Sequence, residues 1–346
     1  MTKKYITIKD VAKEMGVSIN TVSRALNNKP DINEDTKNKI LKKAKEMGYV
    51  RNSYASLLKS KYSKIIGVII PDSSNPFFSE VFNSIEKSAR KKDYQLIVMN
   101  SEGLYENESK AVEVFIERRV DGILLFPMQK KYEDIKGLIS NKFPIVCVGR
   151  NIIGWDMDEI YNNDLEGGYL ATKHLIDQGF KNIIMISDEL FNSASKHRIE
   201  GFKKALNEND LNYKNNIIIC EKIHEGKHVE AGYKTILKLL KENKKFDGVF
   251  CYNDLIAFGV LKALKENNIK VPYEIGVIGF DDIKFSSLIT PSLSTIRVNK
   301  EKLGEEAFNM LYKKIKNPKQ KLLKQKLEIE LLIRDSSLKI RGDING

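Results

Sequence analysis

The stretch TIKDVAKEMGVSINTVSRAL, residues 7–26, decides how the front of the chain is read. Thr7 stands three residues before Asp10, close to a capping box, and opens a helix. Val11, Ala12 and Met15 recur at helical spacing, so one side is apolar. Gly16 tolerates the left-handed backbone that ends a helix. Ser18 restarts the chain as a second N-cap, and Val22, Ala25 and Leu26 give the second helix its buried side. Two helices this short cannot enclose a core. A third is expected over residues 33–47, with Asn33 as cap, Ile40, Leu41, Ala44 and Met47 as the apolar stripe, and Gly48 as the stop.

Helix, glycine turn, helix and supporting helix is the helix-turn-helix pattern of DNA readers. On the second helix Asn20 and Arg24 lie opposite the apolar side, and Ile19 lies at its edge. Arginine forks onto guanine, asparagine onto adenine, and an apolar side chain meets a thymine methyl. Thr21 and Ser23 carry hydroxyls suited to phosphate oxygens. The residues alone leave two other readings open: a three-helix unit with no nucleic-acid role, and Ile19 as a core residue.

A chain of 346 residues suits two or three domains. The net charge is +12, and residues 1–60 hold 13 Lys or Arg against 6 Asp or Glu, so most of the excess sits in the first sixth. A basic head on a milder body points to a polyanion partner; a solvated lysine-rich face is the alternative. Cys147, Cys220 and Cys251 are scattered and odd in number, which argues against a disulfide framework or a metal set and fits a reducing cytoplasm. No apolar signal segment precedes the first helix. The longest apolar run, 65–70, is far short of the roughly 20 residues that span a bilayer. A cytoplasmic protein with no membrane partner is expected.

Residues 49–63 join head to body. Ser53 is a candidate cap for a helix of barely two turns carrying Ala55, Leu57 and Leu58, and helices under about 12 residues are marginal in water unless a partner orders them. Leu58 either wedges into a minor groove, unstacking a base step, or rests on the body as part of a plain linker.

From Lys64 short apolar runs alternate with amphipathic helices. Buried parallel strands are expected at 65–70, 95–99, 122–126 and 145–148, with helices near 77–91, 105–118 and 132–141. The rhythm resumes with helix 164–178, strand 182–186, helix 195–209, strand 217–220, helix 229–243, strand 248–252, helix 255–267 and strand 274–279. So many units exceed one open sheet, so two doubly wound parallel-sheet lobes are expected. Residues 156–163 are the expected first crossing, and a helix at 300–315 and a strand at 326–332 return to complete the lobes. Parallel sheets bind ligands beyond the carboxyl ends of their strands. There the sequence offers Phe77, Phe78, Arg198, Asn253 and Asp281. Aromatic faces with bidentate polar groups suit a sugar or another small polyhydroxy or heterocyclic ligand, although each residue taken singly also suits a loop cap or turn.

Several signals are missing. No P-loop and no G-x-G-x-x-G follows a strand, no G-x-S-x-G elbow occurs, and no carboxylate pair stands with a nucleophile. No cofactor is expected, and an enzyme acting on a sugar is the weaker reading. His224 and His228, four apart, lack a metalloprotease frame and read as surface residues. Trp155 reads as a packing residue.

These pieces together resemble the lactose/galactose repressor family of bacterial transcription regulators over essentially the whole chain. The resemblance rests on IKDVAKEMGVSINTVSRALN, on EMGY at 46–49, and on the N-x-x-A-x-x-L spacing of Asn52, Ala55 and Leu58. The body adds NPFF, VDGILLFP, G-x-x-x-A-x-x-HL from Gly167, R-x-x-GF from Arg198, Asn253–Asp254, VIGFDD, and STI followed by G-x-x-A. It implies a homodimer on a near-palindromic double-stranded operator, controlled by a small-molecule effector, with sugars the foremost class. It implies major-groove reading by Ile19, Asn20 and Arg24, and minor-groove entry by Ala55 and Leu58 from a hinge helix that forms on DNA. It implies a periplasmic-binding-protein-like body with effector contacts at Phe77, Phe78, Arg198, Asn253 and Asp281. The chain departs from the family pattern at Arg51, where the hinge opens with proline, at Tyr54, and at Asn163–Asp164, whose order is reversed. The expected layout is a head at 1–50, a hinge at 51–63 and an effector-binding and dimerisation body at 64–346. The first lobe takes 64–161 and 295–322, and the second 162–292 and 323–335. A ligand-controlled activator or dual regulator of the same architecture and a non-specific architectural DNA protein are the alternatives.

Overall fold

A computed structural model describes residues 6–50, 62–127, 133–151, 154–188, 193–220 and 226–339. The chain divides into two compact units, Met1–Ser63 and Lys64–Gly346. Arg51, Tyr54, Ala55, Leu58 and His224 lie outside the described residues.

Side chains fix the helix ends of the first unit. In α1 (Ile8–Met15) the capping box is complete: Thr7 Oγ1 accepts from the Asp10 amide at 3.4 Å, and Asp10 Oδ2 accepts from the Thr7 amide at 2.8 Å. Gly16 ends it at φ +64°. Ser18 caps α2 (Ile19–Leu26), its Oγ accepting from the Thr21 amide at 3.0 Å. Asn33 caps α3 (Glu34–Glu46) through Oδ1 to the Asp35 amide at 2.9 Å. Val11, Ala12, Val22, Ala25, Ile40 and Ala44 form the core, with Met15, Leu26 and Met47 packed round it. Leu41 departs from the expected stripe and is exposed, since it lies about 100° round the helix from Ile40.

The second unit holds two six-stranded sheets. The chain lays down β1 (Ile65–Ile70), α4 (Pro76–Arg90), β2 (Gln95–Asn100), α5 (Tyr105–Glu117), β3 (Gly122–Leu125), α6 (Glu133–Ser140), β4 (Ile145–Val148) and β5 (Asp158–Asn162). It crosses to α7 (Asp164–Asp177), β6 (Ile183–Ser187), α8 (Ser193–Asn207), β7 (Ile217–Ile219), α9 (His228–Lys241), β8 (Gly248–Cys251), α10 (Asp254–Glu266), β9 (Gly276–Asp281) and β10 (Ser294–Val298). It ends with α11 (Lys300–Lys316), β11 (Lys324–Leu327) and β12 (Ile329–Leu332). The first sheet runs β11-β5-β4-β3-β1-β2 and is parallel throughout. The second runs β12-β10-β9-β8-β6-β7, with β12 antiparallel to β10.

Three crossings differ in detail from the expected ones. Most of the 156–163 segment is strand β5, and the chain leaves the first lobe only after it. The return expected at 295 comes after Val298, because β10 pairs with β9 in the second sheet. The last crossing, expected at 323, falls between β11 and β12, so residues 326–332 are not one strand but parts of two, in different sheets. β5 was hidden by its polarity. Asp158 is fully buried yet paired with Lys314 Nζ at 3.0 Å, and buried Glu159 pairs with Lys324 Nζ at 3.3 Å. Trp155 packs against the first-lobe core. No helix among the described residues is long and apolar enough to cross a membrane.

The tightest helix pairs of the second lobe meet at glycines. A Cβ on Gly168 would strike the Arg198 carbonyl, and one on Gly259 would strike the Val229 carbonyl. Neither obstacle is a side chain that can rotate away. Gly259→Ala should therefore separate α9 from α10 and cost about 1–3 kcal/mol, as overpacking generally does. A lowered urea midpoint is the expected outcome; an unchanged midpoint would show that the helices part freely.

Candidate functional site

The strand ends that a parallel sheet offers to ligands meet in a cleft between the two lobes. About 740 Å³ of non-atom space lies in it, mouth included. Phe77, Phe78, Arg198, Asn253 and Asp281, singled out by sequence, all line this one cleft.

On the first lobe, Asn75 starts α4, its Oδ1 accepting from the Phe77 amide at 3.0 Å, and Pro76 pre-sets the first helical turn. That places both phenylalanines on the wall. Their rings meet edge to face at 5.2 Å, and Phe78 meets Phe126 the same way at 5.6 Å.

On the second lobe, Arg198 is buried and its charge is met on several sides. Nε donates to Asp164 Oδ1 at 2.8 Å and Nη1 to the Tyr252 carbonyl at 2.5 Å. Nη2 stands 4.0 Å from Asp281 Oδ1, and the guanidinium lies over the Phe280 ring, 3.5 Å from its centroid. Asn253 caps α10, its Oδ1 accepting from the Ile256 amide at 2.9 Å. Asp254 beside it turns away from the cleft and accepts from Thr295 Oγ1, Ser286 Oγ and the Ile283 amide. It thereby braces the loop after β9. Its carboxyl is pushed up to about 6 by burial, against the pull of those three donors.

The backbone is strained where β9 delivers Asp281. Asp281 has φ +108° and Asp282 φ +51°, conformations that cost on the order of 1–3 kcal/mol each and persist only when the surroundings impose them. Lys300 Nζ holds both carbonyls, at 2.7 Å and 2.6 Å, and Arg297 and Arg334 hold the Asp282 carboxylate at 2.8 Å and 2.6 Å. Burial pushes the Asp281 carboxyl up to about 8, outweighing the pull of Arg198.

Sequence reasoning missed other lining residues, among them Asp72, Asp188, His228 and Tyr252. Asp72 and Asp188 follow β1 and β6 closely, so the strand-end rule that found Arg198 was the signal available for them. His228, expected at the surface, is largely buried and stands 3.1 Å through Nδ1 from Asn253 Nδ2. Asp164, whose reversed order set it aside, is the buried partner of Arg198.

In the separate first unit, α2 presents Ile19 and Asn20 to solvent, and Ile19 is 46% exposed, which disposes of the core alternative. Arg24 is ion-paired with Asp31, its Nε donating to Oδ1 at 3.2 Å. Thr21 Oγ1 lies 2.8 Å from Ser18 Oγ, and Ser23 Oγ accepts weakly from Asn27 Nδ2 at 3.5 Å.

Comparison with known proteins agrees with this architecture. Residues 7–52 match the bacterial regulatory proteins of the lacI family, and residues 63–334 match the periplasmic binding proteins and sugar binding domain of the LacI family. The HTH-type transcriptional repressor PurR of Mannheimia succiniciproducens is 35% identical over 337 residues, covering 96% of this chain and 99% of that one. Its counterpart from Vibrio vulnificus is 33% identical over the same share of both. Among solved structures, a lac repressor dimer bound to operator and the anti-inducer ONPF superposes with a TM-score of 0.84 at 24% identity, over 97% of this chain and all of that one. A LacI family regulator from Enterococcus faecium with bound ribose gives 0.70 at 27% identity, over 80% of this chain and all of that one. The chain belongs to the lacI family of bacterial regulatory proteins. It is a DNA-binding transcriptional regulator, not an enzyme.

The raised Asp281 carboxyl has a pH consequence. Its ordinary value is 3.8, so the folded form holds a proton that the unfolded chain has released. The resulting stability is complete below about pH 4 and is lost as pH rises through about 8. Asp281→Asn removes this loss, and asparagine tolerates positive φ better than most residues. Relative to wild type, the variant's urea midpoint should rise between about pH 5 and about pH 8. An equal offset at both pH values would contradict the assignment.

Proposed function

We propose that this regulator is a repressor that binds a near-palindromic operator as a homodimer in the cytoplasm, under control of a sugar held between its lobes. The observation that carries the reading is the convergence of Phe77, Phe78, Arg198, Asn253 and Asp281 on one cleft. Aromatic edges beside buried polar groups match the alternating apolar and hydroxylated faces of a sugar. Related chains are named transcriptional repressors, and a structural neighbour carries ribose.

In this account Ile19, Asn20 and Arg24 read base edges in the major groove, and Thr21 and Ser23 contact phosphates. Ala55 and Leu58 enter the minor groove from a hinge at 51–63, which separates the head at 1–50 from the body. Arg24 leaves Asp31 for guanine. The exchange costs little, because an exposed ion pair contributes about 0–1 kcal/mol. An effector acts only through its differential affinity for two lobe arrangements. The sign of that difference decides between release of DNA and recruitment to it.

Arg24→Ala should weaken binding at its own base pair by about 1–3 kcal/mol and relax specificity there. The check is the affinity ratio between operator and scrambled duplex, and an unaltered ratio would remove Arg24 from the readout. For the effector, a thermal-shift screen of sugars and nucleobases is followed by DNA binding in the presence of each hit. A hit that alters operator affinity is expected; hits that leave it untouched would contradict regulation through the cleft.

A further inference from the structure

One carboxylate in the cleft has an oxygen that the described residues do not satisfy. Asp72 follows β1, and its Oδ1 accepts from the Ser74 amide at 2.8 Å and from Ser74 Oγ at 2.6 Å. Its Oδ2 is buried and has no hydrogen-bond partner. Such a group pays the full desolvation penalty of a charged acceptor unless something donates to it. The residue is 9% exposed and lines the cleft.

Its cover comes from the other lobe. Gly226, at φ +71°, itself lies over Asp72: a Cβ there would lie 3.7 Å from Oδ2 and 3.4 Å from Ser74 Oγ. Two residues on, His228 Nε2 faces Asp72 Oδ2 at 3.9 Å. The tautomer of that histidine follows from its neighbour. Asn253 Oδ1 is engaged by the Ile256 amide, so its Nδ2 is the donor toward His228 Nδ1. His228 Nδ1 is therefore the acceptor, and Nε2 carries the hydrogen that points toward Asp72. A separation of 3.9 Å is too long for a direct hydrogen bond, and a polar gap of that size is one that a bridging group fills.

The gap thus has an acceptor on the first lobe and a donor on the second. Of the single ligand atoms that bridge such a gap, a hydroxyl oxygen donates to one side and accepts from the other. A ring N–H has no lone pair to offer, and a carbonyl has no proton. Resting on the sugar reading of the cleft, we propose that Asp72 and His228 are effector-selecting residues that clamp one hydroxyl of the ligand between the lobes. The bridging hydroxyl satisfies Asp72 Oδ2 only when His228 and Gly226 are in place. Its binding free energy therefore favours the closed arrangement of the lobes over one in which Asp72 is hydrated. Asp72→Asn reverses the pattern without changing shape. The amide oxygen keeps the Ser74 bonds, and the amide nitrogen then presents a second donor to the gap.

The test uses the full chain, with wild type, Asp72→Asn, His228→Phe and the double variant. Each is heated with D-ribose, D-glucose, cellobiose, hypoxanthine or adenine, and without additive. A sugar is expected to raise the wild-type Tm. Its affinity should fall roughly 10- to 100-fold in each single variant, the span of one hydrogen bond to a charged group. The double variant should be no worse than the weaker single one, because both lose the same bridge. Without additive, Asp72→Asn should melt no lower than wild type, since it removes a buried unsatisfied charge. A purely structural Asp72 predicts the opposite, a lower ligand-free Tm, and that result overturns the proposal. So does a sugar bound equally well by wild type and Asp72→Asn, or a panel in which only the hydroxyl-free bases bind; both leave a working effector cleft. If no probe of any kind moves the wild-type Tm, the sugar reading fails, and the hydroxyl clamp fails with it.

Discussion

A guanidinium taken out of water must be neutralised where it lies, and the second lobe is arranged round that requirement at Arg198. Removing one partner from a buried ion pair generally costs about 3–5 kcal/mol, so Asp164 at 2.8 Å fixes where α7 stands relative to α8. Gly168 lets those helices approach until backbone meets backbone. The Tyr252 carbonyl anchors the end of β8, and Phe280 lies flat beneath the charge at the end of β9. Four segments distant in sequence are thereby locked to one side chain at the edge of the cleft. Asp281, 4.0 Å from the same guanidinium, inherits its place from this arrangement.

The two walls are tied by a second cation. Lys300 opens α11, a first-lobe helix, yet its Nζ reaches the carbonyls of Asp281 and Asp282 in the second lobe. The same Nζ stands 3.6 Å from Glu80 on α4, whose Oε1 accepts from the Lys284 amide at 3.1 Å. Helix α4 also carries Phe77 and Phe78. A ligand that touches those rings and Asp281 therefore presses on both ends of one polar chain. Under the proposed function, this chain is the contact path through which an effector would act on the angle between lobes.

Local chemistry made much of this legible in the sequence. Thr7, Gly16, Ser18 and Asn33 end or begin helices for reasons confined to a few residues, and each does so here. The alternation of apolar runs and amphipathic helices carried the parallel sheets, and the strand-end rule gathered five residues that line one cleft. What escaped depends on partners far away in sequence. The DEIYN strand conceals its burial because Lys314 and Lys324, more than 150 positions on, neutralise it. Asp72 has the look of an ordinary turn residue and His228 that of a surface histidine. Only the meeting of the lobes sets them 3.9 Å apart. The ion pair of Arg24 with Asp31 was likewise invisible, because it spans the turn after α2.

A small basic head with an exposed second helix has the chemistry for duplex DNA, and the body has a cleft lined from both lobes. If the two are coupled, the coupling free energy is the same from either side. The direct measurement is a calorimetric titration of the cleft ligand into the full-length protein, alone and with saturating operator duplex, set beside the operator affinity measured with and without that ligand. The account predicts that duplex changes the ligand's dissociation constant by the factor by which ligand changes the duplex's, on the order of 5- to 150-fold. A ligand affinity indifferent to bound operator would contradict it.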